Sequence, residues 1–455
     1  MEIFGRKTVI STRFRSVFVA SMVSMISSYI LMLTDNVVAG QVVGDDAVAA
    51  MTLVFPIFTL ILFVAYVIAD GLVMMATYAN GRGDRAEVDR LFSLGMILSV
   101  GTSLIFFAAL VLLREEILAF WEISTHLQIY AHDYYDGLKF LSLFQFAGIF
   151  LYTIFVAEGM ENECLVAAGV AFVVNVALDI ILCQKIGVMG IGLGTTLGTF
   201  ASIIVLCFYL RRSNLHFVWY FDAKKTWQGI FYSFYHSIDT LCQSLLPVIL
   251  SYMVLKFFGE GDLIIVTVAV NLLTLIIAVY TGIVDCLQPM VCQYYAEKNL
   301  HSTIKTMRVG IAATVAVSLL MTALGIIFAE FLPEMFGVED EILAEEAAVA
   351  MRYFLPFTIF LGCTQMLGNY YIYIEKMNYG AFIKILLLLI LPFIAMIFSR
   401  NFALAIFGRF TMNMFWLGIG ISFLATYLIN YFYLKPRAGT LMIDEQALNR
   451  QISLI

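Results

Sequence analysis

The sequence predicts an all-α membrane protein, with about twelve transmembrane helices in two six-helix bundles related by a pseudo-two-fold axis along the membrane normal. Of its 455 residues, 62% are hydrophobic and 13% are charged, whereas about 25% of the residues of a soluble domain are charged. The apolar runs are long and continuous and do not alternate with period two, which favours helices over a β-barrel. The polar stretches between them leave no room for a sizeable soluble domain.

Twelve apolar runs are candidates for the membrane spans. Several exceed the roughly 20 residues that cross a bilayer, so we expect these to tilt or to project beyond it. The first run follows a basic segment and is longer than the core of a signal peptide, so we interpret it as a retained helix. In chain order the predicted spans are Val17–Val38, Ala47–Tyr78, Leu91–Leu113, Tyr134–Ala157, Leu165–Cys183, Gly187–Leu210, Gly229–Phe258, Leu263–Val291, Ile304–Phe328, Ala347–Ile374, Ala381–Phe398 and Phe402–Leu434.

Lysine and arginine are divided unequally between the two sets of loops that these spans define. The set that includes both chain termini carries 18 of them, and the opposite set carries 4. Because basic residues concentrate in cytoplasmic loops, this bias predicts two cytoplasmic termini, an even number of spans and a plasma (inner) membrane location. We assign Arg400 to an external loop and expect Lys139, Arg352, Lys384 and Arg409 at or near span ends.

A constant shift aligns the first half of the chain with the second. Under this shift Asp70 coincides with Asp285, and Gly95 coincides with Gly310. Six spans fall within the shift, so both halves enter the membrane in the same direction, as parallel repeats do. The predicted domains are an amino-terminal lobe over residues 1–212, a cytoplasmic linker over 213–228 and a carboxyl-terminal lobe over 229–455.

Aspartates inside the predicted spans are the first candidates for function, because an ionisable side chain is costly there. The set is Asp35, Asp70, Asp179, Asp239 and Asp285. Asn175 and Asp179 are four residues apart, so they share a helix face and could present an amide and a carboxylate to a proton or a small cation. We expect Asp70 and Asp285 to have a shared structural role, with gating as the alternative. Asp239 stays open between a structural and a functional role.

Other patterns argue against nucleotide, metal and nucleic-acid sites. Gly190, Gly192 and Gly194 follow no strand, so we interpret them as a close helix contact. The five histidines show no metal-ligand spacing, and the seven cysteines form no CxxC pair. No basic stripe indicates nucleic acid. We expect a monomer without a cofactor, embedded in the lipid bilayer.

Four segments together resemble the multidrug and toxic compound extrusion (MATE) family of secondary transporters. Residues 34–40, Thr-Asp-Asn-Val-Val-Ala-Gly, resemble the end of the family's first helix, and residues 80–84 resemble its second cytoplasmic-side loop. The stretch from Asn175 to Asp179, with the glycine-rich run up to Thr195, resembles the motif of helices five and six. Gln288-Pro289 matches the corresponding place in the second half. The order and spacing of these motifs extend the resemblance over nearly the whole chain.

The resemblance implies efflux of organic, often cationic, compounds in exchange for protons or sodium ions, and no enzymatic activity. It also implies that the amino-terminal lobe holds the coupling ion. The corresponding residues are Asp35, Asn175, Asp179 and Thr195, with Thr196 or Thr199 as alternatives to the last. A sodium ion would be held by the first three of them.

Two features depart from the family pattern. The proline that many members carry in the first helix is missing from Val17–Val38, so we do not predict a proline hinge. The usual Gly-x-Pro at the start of the seventh helix is replaced around His236-Ser-Ile-Asp239. We therefore do not transfer an ion site of the carboxyl-terminal lobe to Asp239.

Two other functions compete with antiport. A flippase for lipid-linked saccharides, from the same superfamily, would need Arg or Lys in its cavity for the pyrophosphate, and the spans hold few of them. An intramembrane aspartyl protease would need two aspartates that share a proton, in YD and GxGD settings. None of the five candidate aspartates stands in either setting; Asp70, for example, precedes a glycine but follows Ala69.

The loop charges make a testable prediction about topology. A reporter fused after Ile455 should be cytoplasmic, and one inserted between Val338 and Glu341 should be external, because an even number of spans separates the termini. Paired fusions to alkaline phosphatase and green fluorescent protein measure this. An external carboxyl terminus would exclude the twelve-span arrangement.

Overall fold

The computed structural model describes residues 9–120, 125–258, 263–335 and 341–434, and all regular structure in these ranges is helical. Twelve long helices occur in them, as predicted, and ten helices of the described residues are long and apolar enough to cross a membrane. The helices are α1 Val9–Val42, α2 Asp45–Gly81, α3 Arg85–Leu112, α4 Thr125–Leu138 continued by Ser142–Ala157, α5 Glu161–Ile186, α6 Val188–Leu210, α7 Ala223–Phe257, α8 Leu263–Ala296, α9 Leu300–Ile327, α10 Glu341–Phe354 continued by Thr358–Tyr373, α11 Met377–Ile385 continued by Leu391–Phe407, and α12 Met412–Ile429.

The chain divides into two compact units. The amino-terminal unit is Arg15–Ser237, and the carboxyl-terminal unit begins at Ile238 and includes the described residues before Arg15. Within the first unit α2, α3 and α4 pack on one another, and α6 packs on α4 and α5. Within the second unit α8, α9 and α10 pack on one another, and α12 packs on α10 and α11. The same helix pairings therefore recur in both units, as the repeat predicts. The lobe boundaries at 212 and 228 stay a prediction.

The turn that follows the second helix of each unit repeats residue for residue. Asp84 begins α3 and accepts a hydrogen bond from the Glu87 backbone N–H at 3.1 Å. Asn299, its equivalent in the repeat, begins α9 and accepts one from the Ser302 backbone N–H at 3.1 Å. The residues just before these caps are both left-handed, with φ 76° at Gly83 and 58° at Lys298. The two units thus share one backbone turn, even though glycine in the first is lysine in the second.

One predicted helix end is wrong. The sequence predicts that the polar run Ser399-Arg400-Asn401 separates the last two spans, but α11 continues through it to Phe407. Gly408, with φ 66°, ends the helix, because a left-handed residue favours glycine and stops helical bonding. Arg400 consequently lies inside α11 and not in an external loop. Its guanidinium is 5.0 Å from the centroid of the Phe257 ring, a cation–π contact that accommodates it there.

Among the described residues, three helices contain an irregular turn within their length, and α12 ends in a π turn over Asn430–Leu434. The α4 helix passes through a 3₁₀ turn over Lys139–Leu141, and α10 passes through one over Leu355–Phe357, which contains a proline. The α11 helix widens into a π turn over Leu386–Ile390, directly before Pro392. Such turns inside helices often mark functional positions, and two of the three adjoin the clusters described below.

The predicted linker is held in place by helix α3. The backbone N–H of His216 donates to Asp89 at 2.9 Å, and that of Val218 donates to Ser93 at 2.8 Å. Asp222 begins α7 and accepts hydrogen bonds from the Lys225 N–H and the Tyr220 hydroxyl, which lower the pKa of its carboxyl group. The predicted linker is therefore hydrogen-bonded to the amino-terminal unit and packs as part of it.

The repeated turn predicts a stabilising substitution. A non-glycine residue in a left-handed conformation destabilises the folded state by roughly 1–2 kcal/mol. Replacing it by glycine removes this strain, but part of the gain is lost because glycine has more conformational entropy in the unfolded chain. Lys298→Gly should therefore raise the free energy of unfolding by about 0.5–1 kcal/mol, measured as a higher midpoint of thermal unfolding in detergent. Lys298→Ala retains the Cβ and is the control. An equal midpoint for the two variants would contradict the assignment of strain to this residue.

Candidate functional site

The close packing of α5 and α6 depends on a row of glycines. Gly190, Gly194 and Gly198 are four residues apart, so they lie on one face of α6. A Cβ at Gly198 would lie 2.9 Å from the Asn175 Cβ, and one at Gly194 would collide with the Asp179 carboxylate. The interpretation of the glycine run as a helix contact is confirmed. Its consequence is that the α6 backbone lies directly against Asn175 and Asp179.

A second glycine contact brings α4 to another face of α6. A Cβ at Gly192 would lie 3.0 Å from the Tyr134 carbonyl oxygen. Thr196 donates to the Gly192 carbonyl at 2.9 Å and lies 3.4 Å from the Gly137 carbonyl on α4. Helix α6 is therefore held between α4 and α5. This arrangement places Tyr134 on the part of α4 that packs against α6.

The four predicted ion-site residues come together in this unit. Asn175 and Asp179 are fully buried, and Asp35 is 9% exposed. The Asn175 amide donates to the Thr195 hydroxyl at 3.1 Å, and the Asp35 carboxylate is a neighbour of Asp179 and Thr195. Thr196 faces α4, and Thr199 bonds to the Thr195 carbonyl at 3.0 Å. Of the three candidate threonines, Thr195 is the one that bonds within the cluster.

Several oxygens of the cluster have no hydrogen-bond donor in the part of the chain that the structure describes. They are Oδ1 of Asp35, Oδ1 of Asn175 and both carboxylate oxygens of Asp179. Burying a polar atom without a partner costs about 1–3 kcal/mol, and more when it is charged. Two adjoining carboxylates add mutual repulsion. The arrangement therefore suits a proton or a small cation that prefers oxygen ligands.

An ion-pair group supports α4 beside this cluster. Arg114 binds both oxygens of Asp136, through Nε at 3.0 Å and Nη2 at 2.6 Å. Lys139 reaches the same carboxylate at 2.8 Å from the 3₁₀ turn, and the Tyr135 hydroxyl donates to the Leu110 carbonyl at 2.7 Å. These bonds fix the segment that carries Tyr134.

Asp70 lies in a separate contact, between α2 and α7. Its carboxylate is 3.0 Å from Nδ1 of His236, and both side chains are buried. The neighbouring Gly71 N–H donates to the hydroxyl of Ser233. His236 was not among the predicted site residues; its spacing of three from Ser233, on one face of α7, was the only signal. Asp285 is only half-buried, so the two repeat-related aspartates differ in their surroundings.

Asp239 lies in the carboxyl-terminal unit and pairs with Lys384 of α11, with Nζ and Oδ2 3.4 Å apart. Helix α11 extends from Met377 to Phe407 in all, and the Lys384 side chain is only 1% exposed. The expectation that Lys384 lies near a span end stays a prediction. The sequence did not show this pairing, because the partner carboxylate lies on a helix that is distant in the chain.

Comparison with known proteins identifies relatives of the chain. The model of the MatE family matches residues 20–181 and 237–398, so one stretch falls largely in each unit. The second match begins close to the position at which the internal repeat would place it. No curated protein sequence matches significantly.

Solved structures with the same fold are distant in sequence. An outward-facing multidrug resistance MATE family transporter of the MOP superfamily has a TM-score of 0.86 at 17% identity, over 94% of this chain and 96% of that one. A MOP superfamily transporter from Pyrococcus furiosus is described by a reversed polarity of its binding pocket, which suggests a different function. Its TM-score is 0.85 at 17% sequence identity, over 94% of this chain and 96% of that one. A MATE structure in the bent conformation has a TM-score of 0.84 at 16% sequence identity, over 95% of this chain and 96% of that one.

The glycine contact makes a prediction about stability. Gly194→Ala places a methyl group against the Asp179 carboxylate and should lower the free energy of unfolding by about 1–3 kcal/mol, as overpacking does. Gly169→Ala, on α5 with no neighbouring atom within 4 Å, is the control and should stabilise by up to about 1 kcal/mol. Thermal unfolding of the purified variants measures both. Equal midpoints would show that α6 can move away from Asp179 at no cost.

Proposed function

Because the chain belongs to the MatE family, whose members are transporters and not enzymes, we propose that it is a secondary active antiporter. Its cargo is organic, cationic and drug-like, and leaves the cell in exchange for protons or sodium ions by alternating access. The observation that carries this proposal is the buried cluster of Asp35, Asn175, Asp179 and Thr195, with its undonated oxygens. No cofactor is needed, because the coupling ion is the only group that the cluster has to bind.

Coupling follows from the cost of leaving two buried carboxylates uncompensated. In the closed cluster a proton or a sodium ion neutralises part of the charge of Asp35 and Asp179, while the carbonyl oxygen of Asn175 supplies a neutral ligand. Opening the cluster to water hydrates the carboxylates and releases the ion. Two states with different ion affinity are thereby defined. If cargo binds better to the ion-free state, linkage requires that each ligand weakens the binding of the other.

The remaining features agree with this function. We place the protein in the plasma (inner) membrane, with both termini cytoplasmic, as a monomer. A flippase would need free cationic side chains for a pyrophosphate. Lys384, the most buried lysine of the described residues, instead lies beside the Asp239 carboxylate, which favours antiport. Asp70 serves a structural or gating role through His236.

The decisive experiment removes the titrating groups one at a time. Asp179→Asn should fold, because it removes a buried charge that has no donor, but should lower gradient-driven uptake of a fluorescent organic cation at least about tenfold. Asp35→Asn should be similar or partial, and Asn175→Ala milder. Uptake into proteoliposomes is measured under separately imposed proton and sodium gradients, and the gradient that drives it identifies the coupling ion.

A matched control is available outside the cluster. Asp84→Asn changes an aspartate to the residue that caps α9 at the equivalent position, and asparagine caps helices as well as aspartate does. This variant should transport at the parental rate. Parental uptake by both Asp35→Asn and Asp179→Asn would remove the amino-terminal cluster from the mechanism.

A further inference from the structure

The segment between α6 and α7 carries an aromatic row, Phe217, Trp219 and Phe221, that the described residues leave uncovered. Trp219 is 87% exposed and Phe221 is 64% exposed. The rings of Phe217 and Trp219 meet edge to face with their centroids 5.4 Å apart, as alternate side chains on one side of an extended chain do. Adjoining exposed apolar side chains of this size mark a contact surface.

The same segment is fixed to the amino-terminal unit by groups other than the aromatic row. The Tyr220 ring centroid lies 5.8 Å from the Arg90 guanidinium carbon and 5.3 Å from the Lys225 ammonium nitrogen. Lys225 also pairs with Glu87 of α3 at 2.6 Å. Together with the backbone hydrogen bonds to α3 described above, these contacts hold the segment in place. The exposed aromatic row is therefore a fixed surface of the unit.

The ends of three predicted spans place the aromatic row at the membrane surface. Helix α6 ends at Leu210, and the predicted span of α7 begins at Gly229. The α3 residues that bond to the segment, Asp89 and Ser93, lie on either side of Leu91, where the predicted span of α3 begins. Tryptophan is enriched at this level of a membrane, because its ring is apolar and its N–H is polar.

The aromatic row continues along the chain into an apolar stripe on α7. Trp227, Phe231 and Phe234 are exposed, and their spacing of four and three residues puts them on one face of the helix. Phe231 and Phe234 lie inside the predicted span, where an exposed apolar stripe suits hydrocarbon. Trp227 lies just before that span. The aromatic row thus adjoins a surface that suits lipid.

The basic residues at the two ends of the segment have no acidic partner. Arg211, Arg212 and Lys224 are exposed, and no ion pair of the described residues includes any of them. The nearby Asp222 carboxylate accepts hydrogen bonds from the backbone N–H groups of Lys224 and Lys225. Uncompensated positive charge therefore lies beside the aromatic row, and it complements the phosphate groups of anionic lipids.

We propose that residues 211–227 form an interfacial anchor that binds anionic phospholipids on the predicted cytoplasmic side of the membrane. The aromatic row and Trp227 enter the boundary between headgroups and acyl chains, and Arg211, Arg212 and Lys224 contact lipid phosphates. The continuity of the row with the stripe on α7 favours lipid over a water-soluble protein partner. The anchor does not depend on the proposed antiport.

Quenching of tryptophan fluorescence in liposomes tests the depth of the aromatic row. The difference between the emission of the parental protein and that of Trp219→Phe isolates the emission of Trp219. Phospholipids brominated near the headgroup should quench it more than phospholipids brominated near the end of the acyl chains. Trp416 is fully buried, so the emission isolated with Trp416→Phe is the control and should be quenched less by either lipid.

Energy transfer from Trp219 to pyrene-labelled lipids tests the preference for negative charge. In phosphatidylcholine liposomes, transfer to labelled phosphatidylglycerol should exceed transfer to labelled phosphatidylcholine at least about twofold. Combining Arg211→Gln, Arg212→Gln and Lys224→Gln should abolish this ratio. Arg211→Lys combined with Arg212→Lys retains the charge, so this matched control should keep the ratio. Added sodium chloride should lower the ratio in the parental protein, because salt screens exposed charges.

Three results would overturn the proposal. One is quenching of Trp219 by iodide in the water phase with no effect of either brominated lipid, which would instead favour a soluble partner. Another is equal energy transfer to the two labelled lipids in the parental protein. The third is a ratio that survives the triple glutamine substitution. If that variant fails to fold, a ratio in the parental protein that does not change with salt has the same meaning.

Discussion

The direct contact of α5 with α6 is the constraint on which the candidate site depends. Gly194 carries only a hydrogen atom in place of a side chain, and this leaves room for the Asp179 carboxylate. Any larger side chain at this position would occupy the place of the carboxylate. In lipid no water can hydrate a carboxylate that is pushed out of its pocket. The glycines therefore decide whether Asp179 sits beside Asp35 or has no position inside the bundle at all. The glycines of α6 therefore determine where the Asp179 carboxylate lies, although they contribute no functional group themselves.

The two units preserve the same backbone while their buried charges have diverged. Asp84 and Asn299 cap equivalent helices with the same bond length of 3.1 Å, and Gly83 and Lys298 have the same left-handed sign of φ. At other positions the repeat pairs unlike groups, since Asp35 coincides with Leu250 and Asp179 with Ile394. A duplicated fold therefore supplied two similar frames, and substitution made only the first of them a carboxylate cluster.

The spans, the repeat and the pairing of Asn175 with Asp179 were predictable from the sequence because each leaves a local signal, whereas Asp35 and Thr195 were added to that pair by the family resemblance. Long apolar runs, a constant shift and the four-residue spacing of Asn175 and Asp179 need no knowledge of distant contacts. The end of α11 was missed because Ser399–Asn401 is polar yet lies inside the helix, where Arg400 packs on Phe257. The partners of Asp70 and Asp239 were also missed. Each partner lies on a helix that is remote in the chain, and no local pattern links them.

The contrast between the two buried carboxylate sites defines what each can bind. Asp35 and Asp179 have no cation of their own among the described residues, so the smallest cation that fits, a proton or a sodium ion, lowers their free energy most. Asp239 already has Lys384 beside it, so a small hydrated ion gains little there, since it must lose its water for a carboxylate that is largely compensated. A buried carboxylate without a counter-ion therefore favours a small cation, and one with a built-in counter-ion gains little from it.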